Sequence, residues 1–551
     1  MTRLLLPLLL AVAVARPPAA VAAGQEDAAG AVEAGMVDGR DLADSQAEVP
    51  VDEEVRFAIT GFVARGNTIL RPEELEEVLA DFTGEERTAQ DVEAARQALE
   101  ARYHQEGYPA VLVNIPPQEV AEGQVILEVV ESVVGEVIVT GNRHVTSQQI
   151  TRRLPSLAAG QVLYLPVVQE ELLRLNRGRD LTVTPTLKPG ARPGTVDVEL
   201  AVEDRLPVHG SLEWNNRASP NTTASRLNAG ISYDDLWRRG HSLALQAQVT
   251  PEDPDEAQLA ALSYLLPAPW HPDQMLALFA LWSDSATAFG DGFLAKGQGF
   301  LVGARWVLPL PGYRAYSHNI TTGFDYKDFD ESLELGDGLP AQETPVAYVP
   351  LYASYNASLP DASGSSSASA GLVAAFRGLG SSLDEFRDKR ADSRGNFLVV
   401  TMGLERQQRL PAGFGLDLQV DGQMTDQPLV ANEQYAAGGM TSVRGYRESE
   451  VAGDTAVHAS AELTARDLGP LLGSKDDRLV PYAFWDWAEL RIRDALPGQE
   501  DHFGLAGFGL GVRGRFFSGL EFQLDWATAL MDAGEIDRGE KRLHFRVKYG
   551  F

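Results

Sequence analysis

From residue 206 to the last residue, apolar and polar side chains alternate in short runs separated by turns. Val208, Gly210, Leu212 and Trp214 alternate with His209, Ser211, Glu213 and Asn215, and Leu227, Ala229, Ile231 and Tyr233 with Asn228, Gly230 and Ser232. After a turn at 234–240, Leu243, Leu245, Ala247 and Val249 again share a face. The same period returns at Leu416, Leu418 and Val420, and at Leu520, Phe522, Leu524 and Trp526. A period of two predicts β-strands. Carboxylates and amides hold the opposite face, among them Asp417, Gln419, Asp421, Glu521, Gln523 and Asp525. A β-sandwich or propeller also alternates, but its buried face forms a dry core rich in Ile, Val and Phe. A polar face on strand after strand predicts a wet interior, with the apolar face turned to lipid. At roughly 20–22 residues per strand with its connection, residues 206–551 accommodate about 16 strands, so the expected fold is a transmembrane antiparallel β-barrel.

Ahead of residue 206 the pattern becomes strand, helix, helix, strand, strand. Between 55 and 131, Phe57 and Ile59 begin a strand, Gly66-Asn67 turns the chain, and Pro72 opens a helix through Leu75, Val78 and Leu79. Asp91 is expected to N-cap a second helix, whose Val92, Ala95, Leu99 and Tyr103 fall on one face and which Gly107 ends. Strands follow near 110–115 and 124–130. The order recurs between 132 and 205. Ala64-Arg65-Gly66-Asn67 is answered by Val139-Thr140-Gly141-Asn142, with helices at 147–154 and 166–175 and strands near 181–187 and 195–202. Two small α/β domains are therefore expected in tandem.

Residues 1–23 read as a secretory signal peptide: Met1-Thr2-Arg3, an apolar run over 4–15 that is too short to span a bilayer as a helix, and the small residues Ala20-Val21-Ala22-Ala23. Residues 24–54 are rich in Ala, Gly, Asp and Glu and poor in large apolar residues, which predicts a disordered acidic leader. Beyond the signal no apolar run is long enough for a membrane helix, so any span must be made of strands. The chain has no cysteine, which removes disulfides and thiol chemistry, and 47 Lys+Arg against 78 Asp+Glu give a formal charge of −31, unsuited to nucleic acid. Gly509-Leu510-Gly511-Val512-Arg513-Gly514 spells GxGxxG, but inside a strand pattern rather than at a strand-to-helix turn. No HExxH, GxSxG or phosphate-loop motif occurs, so neither an enzyme nor a metal or other cofactor is expected.

The chain stops on an alternating strand. Leu543, Phe545, Val547, Tyr549 and Phe551 occupy one face and His544, Arg546, Lys548 and Gly550 the other. This ending resembles the C-terminal signal by which outer-membrane barrels are recognised for insertion, with Phe545, Val547, Tyr549 and Phe551 as its apolar positions. The segment Gly438-Gly439-Met440-Thr441-Ser442-Val443-Arg444-Gly445-Tyr446, followed by Ala452-Gly453-Asp454 and Glu462-Leu463, resembles the long barrel loop of the haemolysin-activator transporters of two-partner secretion (TpsB). The two repeats, 55–131 and 132–205, resemble the POTRA (polypeptide-transport-associated) domains of that family; Tyr103, Gly107-Tyr108, Ile115-Pro116-Pro117-Gln118, Leu187-Lys188-Pro189-Gly190 and Pro193-Gly194 fit its habits.

The resemblance implies a bacterial outer-membrane pore with periplasmic POTRA domains that capture an unfolded, secreted exoprotein (a TpsA-like client) and export it through the barrel. It further implies insertion into lipid by the barrel assembly machinery, and a monomer. With no nucleotide site, export would draw on client binding or on its folding outside. It places Val443, Arg444, Gly445 and Tyr446 on a gating loop inside the lumen, with Arg444 held by Asp486 in the wall motif Phe484-Trp485-Asp486-Trp487-Ala488. The family's usual Gly is Ala488 here, which narrows the space beside the loop. Family members often carry an N-terminal plug helix, but 24–53 has no amphipathic pattern and none is expected. The alternatives are an insertase that assembles other barrels, which usually carries more repeats, and a diffusion porin, which needs none.

Overall fold

The structure, a computed structural model, describes residues 55–551 apart from 121, 221, 285–286, 290–292, 296–297, 331, 334–341, 473–476 and 518. The signal-peptide and leader assignments therefore lie outside the described residues. The chain divides into two compact units between Leu206 and Pro207.

The N-terminal unit holds two α/β modules built on one plan. In the first, the strand Gln124–Glu131 lies between Gly61–Arg65, to which it runs parallel, and Val111–Asn114, to which it runs antiparallel. Helices Pro72–Leu79 and Ala89–Gln105 accompany this sheet, and Phe57–Ile59 pairs with Gly84–Arg87. The second helix starts earlier than the sequence predicts. Thr88 is its N-cap, and Asp91 sits one turn in at N3, returning a bond to the Thr88 N–H (2.8 Å) to complete a capping box. Val92, Ala95, Leu99 and Tyr103 are all buried, the last three against Val111, Val113, Leu127 and Val129.

The second module repeats the sheet with Thr195–Asp204 between Val133–Thr140 and Leu181–Pro189. Its helices are Ser147–Arg152 and Leu165–Leu175; the first stops short of 154 because Leu154 precedes Pro155, and a residue before proline is driven out of the α region. The two Gly-Asn turns do the same work. Gly66 (φ +88°) and Gly141 (φ +83°) adopt a conformation that places an added Cβ 2.4 and 2.5 Å from the Val129 and Val202 carbonyl oxygens. Asn67 and Asn142 each donate to a carbonyl three residues on. Glu131 and Asp204 each close the turn by accepting from successive N–H groups, Asp204 from those of Arg143, His144 and Val145. Burial pushes the Asp204 carboxyl up, but these three donors outweigh it and hold it below the usual range.

The C-terminal unit is a closed barrel of 16 antiparallel strands in chain order. The first is Val208–Asn215 and the last Lys541–Gly550; they meet through five registered pairs from Arg546↔Asn215 to Gly550↔Ser211, with Trp214 edge-on to Phe545 at 4.8 Å. The strands that matter below are the seventh (Ser317–Asp330), eighth (Val346–Asp361), eleventh (Gly415–Thr425), twelfth (Thr455–Thr464), thirteenth (Arg478–Arg491), fourteenth (His502–Phe516) and fifteenth (Leu520–Ala529). Alternation decides the two faces. Leu212, Trp214, Leu524 and Trp526 are exposed on the outside, while Asn215 and Asp525 are buried inside.

One sector departs from a polar lining. Leu259, Phe279, Leu281, Leu301 and Phe329 share the inner face of Arg305 and Lys327 and bury one another. Here the inner wall is a small core, which the alternation alone could not separate from a wet face. Connections at the end where the chain enters are mostly short, such as 237–240, 269–270 and 362–363. Those at the other end are mostly longer: 216–225, 381–396 and, longest, 426–454.

Candidate functional site

The 426–454 connection does not stay outside: it folds back into the barrel. Its own backbone makes this possible. Tyr435–Ala437 pairs with Val451–Gly453 as a narrow hairpin, and the tip beyond it turns on glycines with positive φ. At Gly445 (φ +107°) an added Cβ would meet the Ala529 N and Thr528 C atoms at 3.1 and 3.2 Å, so the tip presses its backbone against the fifteenth strand. Val443 and Tyr446 are completely buried, in a cluster with Ala488, Leu490, Leu505 and Ala529. The Ala488 methyl group is thus one of the surfaces on which the tip rests.

Arg444 is 6 % exposed and engages two neighbouring strands of the wall, the twelfth and the thirteenth. Its Nε and Nη2 donate to Asp486 Oδ2 and Oδ1 at 2.7 and 2.8 Å, its backbone N–H donates to the same Oδ2 at 3.1 Å, and its Nη1 donates to Glu462 Oε2 at 3.1 Å. The guanidinium lies 3.5 Å from the Phe484 ring centre, and the Ser460 hydroxyl donates to Asp486 at 2.7 Å. A planar, bidentate, stacked pair of this kind is specific to arginine. Asp486 is wholly buried, so without Arg444 its charge would stand uncompensated. Glu462 also pairs with Arg513.

The neighbours of Arg444 extend the grip. The Tyr446 hydroxyl donates to the Met531 carbonyl at 2.7 Å, and the Gly445 N–H donates to His544 Nε2 at 3.1 Å, which requires that nitrogen to be unprotonated. Glu448 accepts from Arg217 Nε at 3.1 Å.

A second anchor lies across the lumen, and nothing in the sequence pattern singled it out. Glu433, on a short turn ahead of the hairpin, accepts from Lys327 Nζ at 2.5 Å and from the Tyr348 hydroxyl at 2.7 Å, and both Lys327 and Glu433 are 2 % exposed. Lys327 is on the seventh strand and Tyr348 on the eighth. The seventh and fifteenth strands are half a circuit apart in a ring of 16, so the loop joins opposite walls. At its base Asp454 accepts from the Leu429 N–H (3.0 Å), Gln434 (3.1 Å), the Arg493 N–H (2.7 Å) and both ends of the Arg390 guanidinium (2.8 and 2.6 Å). Asp454 and Glu462 fall within the motif noted in the sequence, but Glu433, Lys327, Tyr348 and Arg390 do not. Their only signal is a buried charge, visible once the barrel is closed.

The C-terminal positions lie elsewhere. Tyr549 and Phe551 are exposed on the outer face, Val547 pairs with Trp214 across the seam, and Phe551 exchanges backbone hydrogen bonds with Gly210.

Comparison with known proteins places this geometry. The chain is 20% identical over 408 residues to the heme/hemopexin transporter protein HuxB of Haemophilus influenzae (strain 86-028NP), covering 72% of this chain and 70% of that protein. It is 25% identical to the outer membrane transporter CdiB of Dickeya dadantii over 135 residues, a match that spans only 24% of that protein. Among solved structures, CdiB from Escherichia coli superposes with a TM-score of 0.67 at 17% identity, covering 93% of each chain, and BamA from Haemophilus ducreyi lacking POTRA domains 1–3 with 0.52 at 16%. Both structural likenesses speak to the fold. The ShlB-type POTRA domain matches residues 57–132. The haemolysin secretion/activation protein ShlB/FhaC/HecB family matches residues 194–514, more than half of the chain, and the chain belongs to that family of outer-membrane β-barrel transporters.

Proposed function

We propose that this protein is the outer-membrane translocation pore of a two-partner secretion system. Its POTRA domains, 55–131 and 132–205, lie in the periplasm and capture an unfolded exoprotein, and the barrel, 206–551, exports it. The observation that carries this reading is the 426–454 loop, which crosses the lumen and is tied by buried ion pairs to the twelfth and thirteenth strands at one end and to the seventh at the other. A passive porin has no use for a stopper held by Arg444–Asp486 on one side and Glu433–Lys327 on the other. A translocator needs one that is firm at rest and released on engagement.

Capture fits the sheet edges of the two modules. Val111–Asn114 is an edge strand with Leu112 exposed, able to pair with an extended client segment. Leu181–Pro189 is also an edge, but Pro185 and Pro189 remove donors from it, so it is the poorer template. The apolar C-terminal positions Phe545, Val547, Tyr549 and Phe551 serve recognition by the barrel assembly machinery, and a single sealed chain needs no second copy.

The likeness to BamA keeps an insertase as the second reading. Coexpression with a secreted exoprotein client separates the two. Wild type is expected to release that protein into the medium, while Arg444→Ala and a deletion of 55–204 insert but do not export. Absence of export, with defects in unrelated outer-membrane proteins when the gene is removed, overturns the proposal in favour of the insertase.

A further inference from the structure

The protein carries a formal charge of −31, yet one sector of its lumen is basic. Toward the end where the chain enters the barrel, two successive rungs cross the inner faces of the last four strands. One runs Val480, Arg513, Gln523, Arg546 and then Asn215 of the first strand. The next runs Arg478, Arg515, Glu521, Lys548, Glu213. Five cations thus share this patch with Glu521 and Glu213, and a third carboxylate, Glu462 of the twelfth strand, is paired with Arg513. Arg515 is half exposed and pairs with Glu521 at 2.7 Å. Among the described residues, neither Arg546 nor Lys548 has a carboxylate at ion-pair distance, and the buried Nε of Arg546 has no acceptor. Arg478 and Arg515 are directly opposed across the ladder, an arrangement that destabilises a sheet.

Folding alone does not favour such a concentration. Like charges repel in a confined space whose walls are low in dielectric, and the same confinement focuses their field on whatever enters. On this reading the tract has a ligand, and the ligand is anionic. Its position on the lumen wall, open to water and below the anchored loop, is where an extended chain would first meet the barrel. Resting on the translocation function proposed above, we propose that the cations of the thirteenth, fourteenth and sixteenth strands form a docking tract for acidic stretches of the extended polypeptide, holding them by charge-assisted bonds until the loop yields.

The test uses the full chain in detergent and a fluorescent polyglutamate peptide as probe. A protein of this net charge repels a polyanion, so saturable binding reports the tract rather than general attraction. Wild type is expected to bind polyglutamate saturably, and more weakly as salt rises. The combined variant Arg515→Gln, Arg546→Gln, Lys548→Gln should weaken binding by about three- to a hundredfold, as the loss of three partly exposed charge pairs implies. Replacing Arg515 and Arg546 by Lys, which keeps the charge, should restore most of it, and Lys548→Gln alone provides a milder variant if the triple does not assemble.

Absent binding, or binding that the triple variant leaves unchanged, overturns the proposal. So does complete displacement by inorganic phosphate at the same charge concentration, which marks a small-anion site. Export of the exoprotein is scored in parallel: a wild type that exports but does not bind polyglutamate removes the tract and keeps the pore, whereas a wild type that does not export removes the pore itself.

Discussion

The anchor at Arg444 makes a quantitative prediction. Truncation to alanine removes both bonds to Asp486, the bond to Glu462 and the stack on Phe484, and leaves Asp486 fully buried with only the Ser460 hydroxyl and a backbone N–H to meet its charge. Breaking a buried pair in this one-sided way costs about 3–5 kcal/mol. At about 1.4 kcal/mol per tenfold, the equilibrium between docked and undocked tip shifts by a factor on the order of a hundred to a few thousand. The chain has no cysteine, so single thiols report cleanly. Val443→Cys, at a completely buried position on the tip, should react slowly with a maleimide, and adding Arg444→Ala should speed the reaction by that factor if labelling proceeds through local opening. Leu429→Cys, at the loop base, should stay protected in both backgrounds. Removing both partners, Arg444→Ala with Asp486→Ala, should cost less than Arg444→Ala alone, since no buried charge is stranded. Labelling of Val443→Cys that Arg444→Ala leaves unchanged would refute the anchor. Faster labelling with normal export would leave the anchor standing and refute its part in gating.

Three further outcomes follow from the same reasoning. Glu433→Gln takes the carboxylate away from the buried Lys327 ammonium and should loosen the opposite end of the loop by about 1.5–3 kcal/mol, the worth of a hydrogen bond to a charged group, read as faster labelling of Leu429→Cys; Glu433→Leu with Lys327→Met should recover most of that protection, and no recovery would show that the pair was not the cause. Gly66→Ala and Gly141→Ala should each lower the thermal midpoint of the POTRA unit, because each adds a Cβ against a carbonyl in a left-handed turn, and a neutral result at either site contradicts the equivalence of the two turns. Glu74, bonded to the Arg71 side chain and backbone, has its carboxyl pulled down to about 2, so its contribution to the first module is complete above the ordinary carboxylate range, declines as pH falls below that range and is gone once pH has fallen through about 2; an NMR titration of Glu74 midway near 4.5 would exclude the bond.

What the sequence could disclose depended on whether a residue's task is local. Val92, Ala95, Leu99 and Tyr103 bury together because helical spacing alone puts them on one face, and Gly66 and Gly141 declare their turns because only glycine tolerates the conformation. The cap falls one turn earlier than the spacing predicts, at Thr88 and not Asp91, because both have capping side chains and the sequence does not say which of them begins the helix. The Arg444 loop was legible through resemblance, not through physics: nothing in its composition says that it re-enters a barrel. Glu433 and Lys327 were illegible for a different reason. They lie 106 positions apart on a turn and a strand with ordinary polar spacing, and they become a pair only because the seventh strand is carried round to face the loop. The apolar sector around Phe279 and Phe329 was hidden likewise, since a strand apolar on both faces reads the same whether its inner side meets water or its neighbours.

The distribution of anchors also limits how the lumen can open. Drawing the whole loop out would break the five bonds to Asp454, the Glu433 pair, the Arg444 pairs and the Tyr446 contacts at once, and no single binding event supplies that. The two ends are not equally fixed. At the base, Asp454 is buried and every one of its partners belongs to the loop or to neighbouring connections, so losing them strands a charge with no replacement. At the tip, Glu462 is already shared between Arg444 and Arg513, and when Arg444 leaves, Arg513 remains to neutralise it. Gly438, Gly439 and Gly445 supply backbone freedom on the tip side of the hairpin. The cheaper motion is therefore displacement of 438–449 about a hairpin that stays in place, which clears the wall of the thirteenth to sixteenth strands while the seventh and eighth remain covered. That wall bears the luminal cations, so the side of the lumen that the tip would vacate is the side on which an acidic client segment would be held.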